Sequence, residues 1–349
     1  MLSREDNELL TKVGPGTAMG ALFRRHWLPF LAADELVADA PPRRVRLLGE
    51  ALVAFRDSRG RPGLLAEHCP HRRASLALGC NESGGLRCAN HGWTFDVEGR
   101  CLDMPSEPAG SGFRERVRAV AYRVLERGGL LWAYLGPPEK RAEPPELEWL
   151  GVPAAHRRAT HSTLACNFAQ ALEAEIDASR NAGASARRYT VHETAYGLAF
   201  GARSAANGGY RWRVDLFLVP CFTLLAPADD PETRVFRAWV PMDDGQTSVF
   251  TVAWRAIGVP LAHEPASRLA ESAGPIADRA GEHLGTSDKA IVAFRGRMLS
   301  LARRLAEGIE PQTPYDPDCY RVRAYAGTAG ADERDFIEQE AIRRAMRAP

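Results

Sequence analysis

Residues 64–103 read LLAEHCPHRRASLALGCNESGGLRCANHGWTFDVEGRCLD, and the fold is decided there. Within the stretch, Cys69, His71, Cys88 and His91 stand in the pattern C-x-H-x16-C-x2-H. Each half offers one thiolate and one imidazole. That donor set suits a two-iron, two-sulfide cluster with unequal irons, one held by both Cys thiolates and the other by both His nitrogens. A neutral imidazole in place of an anionic thiolate raises the reduction potential, into the range of roughly −150 to +300 mV. The spacing therefore reads as a Rieske [2Fe-2S] centre. Pro70 and Gly92 fall in tight loops, Trp93 is placed to shield the cluster from water, and the turn at Val97, Glu98 and Gly99 closes a hairpin.

Two other readings of the same four residues are weaker. Zinc modules pair like with like, as C-x2-4-C and H-x3-5-H, whereas here each pair is mixed. A disulfide needs an oxidising compartment, and the charged start MLSREDNELL is not a secretory leader. Cys80, Cys101, Cys166, Cys221 and Cys319 lie outside the motif and read as ordinary reduced thiols of a cytoplasmic protein.

Outside this stretch, composition narrows the function classes. The chain has 349 residues, enough for two cores, and a formal net charge of +1. That balance gives no basis for nucleic acid or an anionic membrane as partner, and no apolar run reaches the length of a membrane span.

Taken in order, residues 3–12 read as a short helix with Ser3 and Asp6 as a capping pair, and a second helix is expected over 17–26 after the breaker at 14–16. Residues 38–42 form a loop. From 43 the period changes to that of strands, and 43–136 reads as a small all-β module ending at a Pro-rich stretch. A helix over 166–180, strands over 188–201, 209–225, 233–241 and 246–256, helices over 265–282 and 287–307, and a helix-prone tail over 329–347 follow. An antiparallel sheet with helices packed on it is α+β. The domains expected are residues 1–42 packing on the C-terminal domain, 43–136 around the cluster, and 137–349.

CPHRRASLALG, CANHGWTFDVEGRCLDMPSEP, ERGGLLWAYLGPP and EHLGTSDKAIVAFR, with the opening MLSREDNELLTKVGPGTAMG, make the chain resemble the Rieske non-heme iron oxygenases of the phthalate-dioxygenase-like type over almost its whole length. The resemblance implies a Rieske domain inserted in a helix-grip domain, a head-to-tail trimer, and a separate flavin and iron–sulfur reductase. It also implies a mononuclear iron on the segment after residue 166, with the pattern N-[WF]-x-Q-x-x-E-x-x-x-D-x-x-H-x4-H and a later Asp. Asn167, Phe168, Gln170, Glu173 and Asp177 match, Asp177 falling at the position that bridges electrons between subunits. Their spacing places the polar members on one helix face. Then the match ends: Arg180 and Ser185 occupy the two His positions, and only Asp288 remains at the third.

A facial triad requires two neutral imidazoles and a carboxylate. Arg has no free lone pair and stays protonated, so it cannot ligate iron. Mononuclear Fe(II) is therefore not expected in this chain, and Arg180 is expected to pair with Asp177, Asp288 or both. His192 is the nearest substitute ligand, with no His partner at ligand spacing. His161, His263 and His283 lack one too, and His26 and His68 read as surface or packing residues. The reading that fits is an accessory subunit that relays electrons beside a homologous catalytic subunit, in a trimer or hexamer. The alternatives are a complete oxygenase with unusual ligands, hydroxylating an aromatic ring or removing an O- or N-methyl group, and a stand-alone electron carrier.

Overall fold

Ser3 opens the first helix by accepting the Asp6 amide on its hydroxyl at 3.0 Å. That helix, α1, runs Arg4–Thr11, and α2 follows at Ala18–Arg24, its start capped by Thr17. The computed structural model describes the chain except residues 83, 109, 178–187, 207–208, 228–229, 231, 259–267 and 331–349. It divides into two compact units: Trp27–Arg141, and Met1–His26 together with Ala142–Pro349.

The inserted unit starts at Trp27, not at residue 43 as the sequence suggested. Its first strand, β1 (Trp27–Ala32), has the unbroken apolar sequence WLPFLA, which carries no alternation to mark it as β. It pairs antiparallel with β10 (Leu130–Tyr134), Trp27 opposite Tyr134. Pro29 is tolerated because β1 lies at a sheet edge. Between these come β2 (Arg43–Leu47), β3 (Glu50–Arg56), β4 (Pro62–Ala66), β5 (Cys80–Glu82), β6 (Gly85–Arg87), β7 (Thr94–Phe95), β8 (Cys101–Asp103) and β9 (Ala121–Arg127). They form a six-stranded sheet in the order β1-β10-β9-β4-β3-β2 and a four-stranded one in the order β5-β6-β7-β8.

Two turns of this unit share one device. In D-S-R-G-R the buried Asp57 carboxylate accepts the amides of Arg59 (3.0 Å) and Arg61 (2.8 Å), and Arg61 Nε at 2.9 Å. In D-V-E-G-R, Asp96 accepts the amides of Glu98 (2.9 Å) and Arg100 (2.8 Å), and Arg100 Nε at 2.7 Å. Each turn needs a left-handed residue three after the Asp, supplied by Gly60 (φ 77) and Gly99 (φ 76).

The other unit is built on one antiparallel sheet. Its strands are β11 (Arg157–Leu164), β12 (Arg188–Glu193), β13 (Gly197–Ala206), β14 (Gly209–Leu218), β15 (Phe222–Leu225), β16 (Arg234–Asp243), β17 (Gln246–Trp254) and β18 (Tyr325–Gly330). The order is β11-β17-β16-β15-β14-β13-β12, with β18 also paired to β14. Among the described residues, two helices belong to this unit besides α1 and α2: α3 (Phe168–Ile176) and α4 (Lys289–Ala306). Phe217 of β14 meets Phe294 of α4 edge to face at 5.0 Å, so the odd-numbered residues of β14 look toward the helices.

Three expectations change here. The span 265–282 is not one helix: its described part holds short 3₁₀ turns at Arg268–Ala273 and Arg279–Gly281. Gly274 (φ 81) and Pro275 separate them, a pair that cannot continue a helix. The start of the tail is a strand, β18, while residues 331–347 lie outside the described residues. Third, α3 stops at Ile176, and Asp177 is already extended (ψ 110).

The matched polar residues of α3 are therefore not one functional face. Asn167 caps α3, accepting the Ala169 amide at 3.0 Å while its own amide donates to Thr11 and Asp244 carbonyls. Gln170 donates to the Ala270 and Gly274 carbonyls and accepts the Ala277 amide. Glu173 sits between two buried arginines, Arg279 Nη2 at 3.0 Å and Arg295 Nε at 2.8 Å. Arg295 continues to Glu282. Burial works against the charge on Arg295, but Glu173 and Glu282 outweigh it and hold its pKa above the ordinary value.

Candidate metal centre

The two loops that carry the candidate cluster donors are built alike. In the first, the Cys69 amide donates to the Ala74 carbonyl (2.9 Å) and the Arg73 amide to the Cys69 carbonyl (2.9 Å). In the second, Cys88 donates to Trp93 (2.8 Å) and Gly92 to Cys88 (3.0 Å). The residue four after each Cys must turn left-handed: Gly92 has φ 72 and Arg73 has φ 62. Glycine takes that conformation freely, whereas for Arg73 it is strained.

This backbone sorts the four side chains by environment. Cys69 and Cys88 are buried, 1% and 3% exposed, in a core with Phe55, Leu65, Leu86 and Phe95. His71 and His91 are half-buried. Their rings lie 4.6 Å apart, and the His71 ring stacks on Trp93 at 4.3 Å and 10°. The arrangement thus has a buried sulfur end and a partly exposed imidazole end.

The donors fit a two-iron cluster better than a single ion. Among the described residues no three His, Cys, Asp or Glu side chains gather round one point. A tetrahedral zinc would require four. Thiol lies beside thiol and ring beside ring, as two separately ligated irons need. The amides of His71 and Arg72 donate to the Cys69 sulfur, favouring the thiolate. The Trp93 indole N–H is buried with no acceptor among the described residues, which leaves a donor for a bound group. Burial pushes the Cys69 thiol up to about 11, with Cys88 adding to the rise. Deprotonation must then be driven by the metal, so loading releases protons.

The second candidate centre is different. Arg180 and Ser185 lie outside the described residues, and so does His263. The expected pairing of Arg180 with Asp177 or Asp288 therefore has no structural account. Asp288 is half-buried just before α4, where its Oδ2 accepts the Gly285 amide at 2.6 Å. His161 donates to or accepts from Ser248 Oγ at 2.6 Å and stacks on Phe250, and His192 lies in β12 opposite Ala199. His26 is buried, 4% exposed, its Nδ1 2.9 Å from the Leu22 carbonyl, while His283 is exposed.

Sequence reading missed a polar cluster on the helix side of the sheet. Arg213 Nε stands 2.7 Å from Asp215 Oδ2 on β14, and Arg237 of β16, 3% exposed, contacts Glu175 of α3. Burial lowers the Arg213 pKa, but Asp215 and then Glu175 raise it further, for a net rise. Tyr189 is pushed well up by burial, with Asp215 and Asp177 adding to the shift and Arg213 opposing it. The signal lay in R-W-R-V-D at 211–215, where charges alternate with buried apolar residues in a strand. The partner carboxylate of Arg237 is too distant in sequence to be paired with it by pattern.

With this geometry in hand, comparison with known proteins gives a consistent result. Residues 26–121 match the family described as Rieske [2Fe-2S] domain, and residues 262–342 match LigXa C-terminal domain like. The oxygenase subunit of phthalate 4,5-dioxygenase from Pseudomonas putida is 34% identical over 86% of this chain and 86% of its own. The oxygenase subunit of 3-chlorobenzoate-3,4-dioxygenase from Comamonas testosteroni is 39% identical over 73% of this chain, an alignment spanning 64% of that protein. Among solved structures, NdmB of Pseudomonas putida CBB5 has a TM-score of 0.68 at 20% identity, covering 88% of this chain and 97% of that one. A carbazole 1,9a-dioxygenase oxygenase solved in complex with ferredoxin has a TM-score of 0.58 at 19% identity, covering 84% of this chain and 95% of that one. A Rieske domain, an α+β sheet unit and a relative matched along most of both lengths agree: the chain belongs to the Rieske oxygenase subunits of the phthalate-dioxygenase-like type.

Proposed function

We propose that this chain is an electron-relaying oxygenase subunit that lacks its own mononuclear iron and works beside a homologous subunit that keeps both histidines. Cys69, His71, Cys88 and His91 would hold the [2Fe-2S] cluster, which supplies one-electron storage when bound. The observation that carries the accessory reading is chemical: Arg180 and Ser185 stand where the family's motif requires imidazoles. The surroundings support it. Glu175 and Asp215 are already neutralised by Arg237 and Arg213. A carboxylate paired in this way is a poor recruit for a cation.

The protein's tasks would be local. The buried thiols and the amides behind Cys69 hold the sulfur end, and Trp93 excludes water from the face of His71. The partly exposed imidazoles form the edge from which an electron leaves. Asp177, at the bridging position, would have this role only if the partner's iron lies beyond it. Electrons would come from a separate reductase or ferredoxin, in a trimer or hexamer located in the cytoplasm. No helix among the described residues is long and apolar enough to cross a membrane.

Iron and acid-labile sulfide analysis of the isolated chain tests the reading. Equal amounts of iron and sulfide, with a Rieske EPR signal, are expected. An additional iron with oxygen uptake coupled to an aromatic substrate, by hydroxylation or O- or N-demethylation, would make the chain an oxygenase by itself. Co-purification with a homologue bearing D-x-x-H-x4-H separates the accessory subunit from a stand-alone carrier.

A further inference from the structure

The inserted unit carries a second feature that the cluster does not use. Within Trp27–Arg141 a cleft of about 600 Å³ is lined by Val97, Glu98, Arg118, Ala121, Arg123 and Arg141, among others. Arg118, Arg123 and Arg141 are exposed, and none of their guanidinium groups makes a hydrogen bond or ion pair among the described residues. The one carboxylate among the described lining residues, Glu98, stands 3.4 Å from Arg100, which also holds Asp96, so three guanidinium groups face a single carboxylate. The two tyrosine hydroxyls at the cleft are engaged, Tyr122 with Glu50 at 2.5 Å and Tyr134 with the Lys140 carbonyl at 2.7 Å. Three cations thus surround a concavity whose other polar groups already have partners.

We infer that this cleft is the docking surface for an acidic electron-donor protein. The inference rests on the reading that electrons reach the chain from a separate protein. Three observations favour such a partner over an inorganic anion. The guanidinium groups are at the exposed rim, where they act at long range and steer an approaching surface. The volume is many times that of an inorganic anion. The apolar floor, Val97 and Ala121, packs directly against the core that contains Cys69 and Cys88. A donor seated here rests against the same core that holds the sulfur end of the candidate cluster site. Transient redox encounters bury little area and depend on charge for their rate.

The test is stopped-flow reduction of the whole oxidised protein by a chemically reduced, acidic plant-type [2Fe-2S] ferredoxin, followed at increasing salt. For the wild type the second-order rate should fall steeply with salt. R118E/R123E/R141E should slow it by roughly tenfold or more at low salt and flatten its salt dependence. Reduction by dithionite and the visible spectrum should be unchanged in that variant. R43E/R46E/R59E, with the same change of charge on the same unit but outside the cleft, should stay close to wild type. Equal slowing in both triple variants, slowing in neither, or no reduction by ferredoxin overturns the cleft. A wild-type protein with no Rieske spectrum would instead overturn the electron-transfer reading itself.

Discussion

At the scale of single residues, burial decides which titratable groups are held in one state. His26 is enclosed, with Nδ1 bonded to the Leu22 carbonyl and Nε2 without a hydrogen-bond partner among the described residues. Protonation would place a charge and an unmatched N–H in the interior, so burial lowers its pKa from 6.5 to about 4. The unfolded chain binds this proton below pH 6.5 and the folded chain resists it until about 4. The contribution is therefore complete above the unfolded value and is lost as pH falls between the two, by roughly 3 kcal/mol. Urea midpoints across that window should flatten in His26→Gln relative to wild type. An unchanged slope would show that His26 is not the group responsible. The cluster motif was legible at this scale because thiol and imidazole spacing is itself the chemistry. The paired arginines of the sheet were not, since their carboxylates come from other elements.

Among the elements, two turns with the same sequence logic differ in their surroundings. A Cβ on Gly60 would meet nothing within 4 Å, whereas one on Gly99 would lie 2.2 Å from the Ala119 carbonyl oxygen. Gly60→Ala should then cost only the left-handed backbone term, about 1 kcal/mol. Gly99→Ala should cost clearly more and disturb the core shared with Cys69 and Cys88, read out as a lower melting temperature and weaker cluster absorbance. Equal losses would refute the crowding argument. Helix α3 offers a second test. Glu173→Gln leaves Arg279 and Arg295 buried with too little negative charge, a change expected to cost roughly 3–5 kcal/mol in urea unfolding. E173Q/R279M should recover part of that loss. The sequence placed a helix over 166–180 but did not show that Glu173 is structural, because its partner Arg279 lies in a span, 265–282, that reads as one helix and is in fact interrupted at Gly274 and Pro275. β11 was overlooked for a related reason: RRATHSTL is an edge strand with mostly exposed side chains and carries no apolar alternation.

For the whole molecule, the resemblance in the sequence correctly gave an α+β chain with an inserted β unit. The strand period, read from the residues, started the β module at 43, whereas the compact unit starts at Trp27, because WLPFLA has no alternation. The corrected boundary has a further meaning. Trp27 and Tyr134 are cross-strand neighbours, so the insert begins and ends side by side, and Tyr134 also ties down the short exit segment through the Lys140 carbonyl. A segment whose two ends meet can be lifted out without opening its own sheets. Residues 27–141 expressed alone should fold and, after reconstitution with iron and sulfide, show the Rieske spectrum. Failure to fold would show that the remaining unit is required for its stability. Success would make the insert a portable redox cassette, whose adjoining ends could be spliced into any loop wide enough to receive two neighbouring strands.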